Sequence, residues 1–192
     1  ERSRKLLRRF GFDRPEDVTG KYTFQLSGGM NQRVVSVLGL MNHPQWIIAD
    51  EPTKGLDAIL RKQVYQVLKG MIQEDHVNML VITHDMMLAE KLCDRLMVLY
   101  QGVILEQGNT ADMIENPKHP YTIGLIGSLP GRGMNPIPLP KEDLMEKQDG
   151  CPFYSRCTCA MDRCKENLPG EYRQEDNRIV RCFLYDRSNQ SE

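Results

Sequence analysis

Two acidic residues, Asp50 and Glu51, close a short apolar run, Trp46-Ile47-Ile48-Ala49. A carboxylate at the tip of a buried strand suits Mg²⁺, which takes oxygen ligands and keeps some of its waters. A second carboxylate beside it can polarise an attacking water. A further apolar run, Asn78 to Thr83, ends in His84-Asp85 and brings a histidine to the same sheet edge. Upstream, Leu26-Ser27-Gly28-Gly29-Met30-Asn31-Gln32-Arg33 sets a serine and two glycines where a helix begins. Free N–H groups at such a start bind anions, and glycine lets a ligand approach the backbone closely. Gly55-Leu56-Asp57 follows Glu51-Pro52-Thr53. Each element alone is commonplace as a turn or a structural group. Together, in one order and at compatible spacings, they point to phosphate chemistry.

The cysteines suggest a second chemistry. Cys93 stands alone, whereas Cys151, Cys157, Cys159, Cys164 and Cys182 fall near the carboxyl end. Structural zinc sites bring ligands in close pairs, and only Cys157 and Cys159 are that close, with one residue between them. The spacing also misses the common ferredoxin runs. On spacing alone a metal centre and free thiols stand equal, with disulfides behind them because no export signal is seen.

The elements that must position these residues follow from periodicity. Residues 1–10 suit a short amphipathic helix with a basic outer face, ended by Gly11 and Pro15. A helix runs from the Ser-Gly-Gly turn to Met41, and residues 58–74 and 86–93 are helical by pattern. The runs ending at Asp50 and Thr83 read as buried parallel strands. Leu96 to Tyr100 and Val103 to Leu105 read as strands of a hairpin turned by Gln101-Gly102. Strand alternating with helix is the rhythm of an α/β domain with a parallel sheet. Beyond Gly108, residues 110–128 hold two short helical patterns, residues 129–150 form a proline-rich strap, and residues 151–182 are too poor in apolar residues to build a core unaided.

Composition bounds the function. The chain has 192 residues, 40% hydrophobic and 27% charged, which fits one folded domain with a small appendage. Twenty-five Lys and Arg balance 26 Asp and Glu, so no nucleic-acid partner is expected. No apolar run approaches the roughly 18 residues that span a bilayer.

The motifs quoted above resemble those of the nucleotide-binding ATPases of ABC transporters. Leu26 to Arg33 is similar to the family signature, Ile47 to Pro52 to the Walker B strand, Gly55-Leu56-Asp57 to the D-loop, and Thr83-His84-Asp85 to the switch histidine. The resemblance implies the C-terminal part of an ABC-type P-loop ATPase domain. It implies that Asp50 helps hold Mg²⁺, that Glu51 acts as general base, and that His84 contacts the γ-phosphate of ATP. Ser27, Gly28, Gly29 and Gln32 would meet the ATP held by an opposite subunit, and Asp57 would communicate across the dimer. There is no G-x-x-x-x-G-K-[ST] in the chain, so it is expected to be a piece of a longer ATPase and to hydrolyse ATP poorly alone.

Gly150-Cys151-Pro152-Phe153, Arg156-Cys157, Cys164 and Arg181-Cys182 resemble the C-terminal extension of oligopeptide and dipeptide importer ATPases, as do Pro117 to Tyr121 and Asn135 to Pro138. That resemblance implies a small metal-binding extension in which Cys151, Cys157, Cys164 and Cys182 hold a 4Fe–4S cluster, with zinc as the alternative and Cys159 as a spare. Lys54-Gly55 departs from the usual small pair near the D-loop, and the strap before Cys151 is short. The expected organisation is residues 1–44 for the end of a helical subdomain, 45–109 for the second half of the ATPase core, 110–150 for helices and strap, and 151–192 for the cysteine segment. The expected role is ATP hydrolysis that energises uptake of oligopeptides, dipeptides or a small ligand such as a nickel chelate. The partners implied are a second ABC ATPase, membrane permease subunits and, indirectly, a substrate-binding protein, at the cytoplasmic face of the cell membrane. A soluble ABC ATPase of DNA repair or translation, and a non-catalytic remnant that docks through its metal-binding extension, are the alternatives.

Overall fold

Leu6 and Leu7 recur among basic residues so that one stripe of α1 (Arg2–Arg9) is apolar; both are buried, with Phe10 following at the helix end. A computed structural model describes residues 1–140 and 149–186; the rear of the expected strap (141–148) and the tail (187–192) lie outside the described residues. Contacts divide the chain into two compact units, Glu1–Leu92 and Cys93–Glu192.

In the first unit α1 is followed by the short α2 (Glu16–Thr19), a 3₁₀ turn (Thr23–Gln25), α3 (Gly28–Leu40), β1 (Trp46–Asp50), α4 (Ala58–Asp75), β2 (Asn78–Ile82) and α5 (Met86–Leu92). Strands β1 and β2 pair in parallel, with Asp50 opposite Ile82. Leu6, Leu7, Phe10, Val37, Leu40, Leu68 and Met71 form the core, and Ile47 and Met79 pack on it from one face of the strands. The other face, carrying Trp46, Ile48, Leu80 and Ile82, is exposed. Arg9 ties α1 to the end of α4 through Asp75 at 2.6 Å and Glu74 at 3.3 Å.

The second unit contains β3 (Arg95–Tyr100), β4 (Val103–Asn109), α6 (Thr110–Glu115), α7 (Pro120–Gly127), α8 (Arg163–Glu166), β5 (Tyr172–Arg173) and β6 (Ile179–Val180). Strand β3 pairs antiparallel with β4, as the hairpin reading expects, in a sheet of order β3-β4-β6-β5. The physical reason is the turn: Gln101 and Gly102 both have positive φ, 47° and 80°, the two-residue hairpin geometry that folds β4 back along β3. The architecture is thus α/β, with a two-stranded parallel sheet and a four-stranded antiparallel one among the described residues.

The cysteine segment does not build its core alone. Leu105, Cys151, Phe153 and Cys164 form a buried cluster, joined by Tyr100, Tyr121, Tyr154 and Phe183. Beneath it, Glu106 of β4 is fully buried. Its carboxylate accepts from the backbone N–H of Lys118 at 3.0 Å and of His119 at 2.9 Å, and from Arg178 Nη1 at 3.1 Å. Arg178 also donates to the Asn116 carbonyl and pairs with Asp176 at 3.0 Å. One buried carboxylate therefore fastens residues 116–119 and the β6 hairpin to β4.

Candidate functional site

The signature turn comes first. Ser27 has extended backbone and caps α3, its Oγ accepting from the Met30 N–H at 3.3 Å. Ser27 and Gly28 are exposed. A Cβ added to Gly28 would meet nothing within 4 Å, and one on Gly29 would meet only Leu60 Cδ1 at 3.9 Å. Internal packing does not require these glycines, although glycine weakens a helix. The bare backbone is open to a ligand arriving from outside, and the first-turn N–H groups favour an anion. Arg33, one turn along α3, braces the turn: its Nε donates to the Gly29 carbonyl at 3.4 Å, and Nη1 donates to the carbonyls of Phe10 and Gly11.

At the carboxyl ends of the parallel strands, Glu51 and His84 meet. The Glu51 N–H continues the ladder to the Ile82 carbonyl at 2.8 Å, but its own φ is 46°. A left-handed conformation at a residue other than glycine marks a constrained, purposeful turn. His84 Nδ1 lies 2.9 Å from Glu51 Oε1 in hydrogen-bond geometry. It lies 2.8 Å from Oε2 as well, yet out of line, so Oε2 is buried without a directed partner. Asp50 stands exposed at the strand tip beside it. Asp50 and Glu51 share the lining of a groove of about 840 Å³ with Gly29 and Gln32.

Asp57 is placed differently from the rest. Its Oδ1 accepts from the N–H groups of Ile59 and Leu60, each at 2.9 Å, and so caps α4. One residue that motif reading passed over completes the turn: buried Thr53 donates to Asp85 Oδ2 at 3.3 Å, while Asp85 Oδ1 caps α5 through the Leu88 N–H. The link ties the loop after Glu51 to the loop after His84. The threonine within Glu51-Pro52-Thr53 and the aspartate of Thr83-His84-Asp85 carried that signal only as neighbours of the motifs.

In the second unit, Cys151, Cys164 and Cys182 are buried and Cys157 half-buried, whereas Cys159 is exposed. Cys182 lies close enough to the other three for their charges to interact. Burial pushes the Cys151 thiol up to about 11 and the Cys182 thiol to about 12. Among the described residues, no group of three or more His, Cys, Asp or Glu side chains converges as ligands of one metal ion would. The expected metal-binding extension, whether a 4Fe–4S cluster or zinc, is therefore not supported by this geometry.

Comparison with known proteins gives two family matches: ABC transporter over residues 1–54, and oligopeptide/dipeptide transporter, C-terminal region, over residues 105–164. The chain is 38% identical to the oligopeptide transport ATP-binding protein AppD of Bacillus subtilis, over 97% of this chain and 58% of the relative. It is 42% identical to the probable D,D-dipeptide transport ATP-binding protein DdpD of Escherichia coli, over 88% of this chain and 52% of the relative. A solved dimer of the ATP-binding cassette MJ0796 with ADP and Pi is 31% identical with a TM-score of 0.50, covering 57% of this chain and 46% of that one. The chain spans about half the length of the relatives it matches. With the signature turn, the Glu51–His84 pair and the cysteine segment in place, the chain belongs to the ABC transporter ATP-binding proteins of the oligopeptide/dipeptide importer family.

Proposed function

We propose that this chain is the signature-to-carboxyl-end part of an importer ATPase, whose ATP hydrolysis energises uptake of oligopeptides or dipeptides. The observation that carries the reading is the hydrogen bond between His84 and Glu51 at the ends of two parallel strands. In it both Glu51 carboxylate oxygens lie within 2.9 Å of His84 Nδ1, which would hold the carboxylate in place as general base, while the exposed His84 ring is available to a phosphate. Asp50 would hold Mg²⁺, which supplies charge neutralisation to the phosphates. Ser27, Gly28, Gly29 and Gln32 would grip the phosphates of a nucleotide carried by a second ATPase. Asp57 would act across that dimer through the α4 start it caps.

Residues 1–44, 45–109, 110–150 and 151–192 are read as the end of the helical subdomain, the second ATPase half, the strap region and the cysteine extension. The exposed face of Trp46, Ile48, Leu80 and Ile82 supports completion of this core by further polypeptide, because parallel strands are ordinarily covered on both faces. Among the described residues no helix is long and apolar enough to cross a membrane. A place at the cytoplasmic face of the membrane, beside permease subunits served by a substrate-binding protein, is proposed from the family. A nickel chelate is a further candidate substrate.

The finer reading of the cysteines is a 4Fe–4S cluster that folds the extension. Four soft thiols gathered in a segment with little core of its own support it. A four-iron cluster holds its thiolates farther apart than one zinc ion does, so the lack of an ion-sized ligand group weighs more against zinc. Anaerobic purification with iron and sulfide assays decides it, and absence of both leaves the thiols as plain core.

The ATPase reading is tested by Glu51→Gln in the assembled transporter. The expected result is retained nucleotide binding with turnover down by about 10²–10⁴, the share of a lost general base. Unchanged turnover overturns it.

A further inference from the structure

Beside the signature turn, two aromatic rings stand in solvent. Tyr22 is 70% exposed and Phe24 82%. Scattered exposed aromatics need no explanation, but these two are stacked, with centroids 5.4 Å apart and ring planes 6° from parallel. They are also held firmly. The Tyr22 N–H donates to Gln25 Oε1 at 2.9 Å, and the Gln25 N–H donates to the Tyr22 carbonyl at 2.9 Å. Asn31 of α3 reaches back to donate to the Thr23 carbonyl at 3.0 Å. The 3₁₀ turn that carries the rings is thus bolted to the helix whose start carries Ser27 and Gly28.

A platform of this kind suits a flat aromatic ligand. Its outer face is open, its position is fixed before binding, and ring stacking tolerates any nucleobase because every base has a π-face. Phe24 and Ser27 stand three positions apart, a span of at most about 11 Å along the chain. That is the scale on which ribose and phosphates separate a terminal phosphate from its base. A phosphate-binding turn with a base-sized aromatic platform beside it describes the two ends of one nucleotide.

We infer that Phe24, backed by Tyr22, stacks on the base of the nucleotide whose phosphates meet Ser27, Gly28 and Gly29, so that this chain recognises a partner-held nucleoside triphosphate at both ends. The inference rests on the proposed function, in which that nucleotide belongs to a second ATPase.

The test uses the complete ATPase carrying these residues, assembled with its partner and held from turnover by Glu51→Gln. Three probes are titrated: ATP, the fluorescent 1,N6-ethenoadenosine triphosphate and inorganic tripolyphosphate, which has no base. Phe24→Ala is expected to weaken ATP roughly 10-fold and to relieve the quenching of the etheno-base, as loss of one base–aromatic stack does. Tripolyphosphate affinity stays unchanged, which also shows that the turn is still folded. Phe24→Trp restores ATP binding and deepens the quenching. Equal loss for ATP and tripolyphosphate overturns the inference, since the ring then serves only the turn. No loss for either also overturns it, and if permease association falls instead, the rings are a protein-docking contact. If the assembly with native Phe24 binds no nucleotide and Ser27→Arg changes nothing, the proposed function itself has failed and this inference goes with it.

Discussion

The first unit leaves Trp46 67% and Ile48 68% exposed on strands that any α/β core would cover, whereas in the second unit Leu105, Glu106 and Val180 are wholly buried. The contrast follows from strand direction. Parallel strands are joined by crossovers that lie on one side, so a pair of them closes only one face and waits for other elements to close the second. The antiparallel strands of the second unit come from a hairpin and a short return, β6, that local sequence supplies. Local pairing, together with the carboxylate of Glu106 as a fastener, buries Leu105, Glu106 and Val180 within the second unit, while Met97 and Leu99 of β3 stay about half exposed. The other carries Glu51 and His84 at the open carboxyl ends of its two strands.

The largest expected break in that contrast is Arg178→Met. It removes the guanidinium that joins Glu106, Asn116 and Asp176, and strands a buried carboxylate. Breaking one partner of a buried pair costs about 3–5 kcal/mol. Urea unfolding followed at the second unit should show a loss of that order, and adding Glu106→Gln should recover part of it. A loss confined to a few tenths would mean that the fastener is ornamental and the hairpin alone closes the unit.

Next in size is the pH response of the same unit. Burial pushes the His119 imidazole down to about 4, from 6.5 when unfolded. Between those values the unfolded chain binds a proton that the folded chain excludes. Stability is therefore intact above pH 6.5 and declines as pH falls toward 4, by up to about 3 kcal/mol. His119→Asn keeps a side chain able to cap α7, where Nδ1 now accepts from the Tyr121 N–H at 3.0 Å, but does not titrate. The difference between the two proteins should therefore grow with acid. A parallel decline in both would assign the acid sensitivity to carboxylates elsewhere.

In the first unit a smaller effect is expected of Asp57→Ala. Its two hydrogen bonds into the start of α4 make it a cap, worth about 1 kcal/mol. Hydrogen exchange should quicken at Ile59 and Leu60 with little change in global unfolding. Loss of dimer-dependent turnover greater than this destabilisation explains would show the residue acting across the partner interface as well.

These sizes bear on what a sequence discloses. Asp50, Glu51, His84 and the Ser27 turn each stand in a local pattern of a few residues, and the structure adds that Glu51 and His84, 33 positions apart, lie within hydrogen-bond distance. The strands that carry Glu51 and His84 at their ends were legible as short apolar runs. The Glu106–Arg178 fastener was not, because its partners lie 72 positions apart and neither stands in a patterned context. Strands β5 and β6 are two residues each, too short for any alternation to register. Only the structure shows that Thr53 reaches Asp85, and that the rings of Tyr22 and Phe24 stack rather than pack inward. The hairpin at Gln101-Gly102 was read, yet the addition of β6 and β5 beyond β4 was not.

The smallest effect is the one that most sharpens the comparison. Ile48→Ala on the bare face should change the stability of the 192-residue chain by no more than about 0.5 kcal/mol, as at any exposed position. In the complete ATPase the same substitution should cost about 2–5 kcal/mol, because there the side chain is proposed to lie beneath further polypeptide. Trp46, the only tryptophan in the chain, offers an independent reading: its emission should be red in the 192-residue chain and blue-shifted where further polypeptide covers that face. A small cost in both contexts, with a red tryptophan in both, would mean that the face is open in the working ATPase. The incompleteness of the first unit would then be a surface for a partner and not a missing half of its own core.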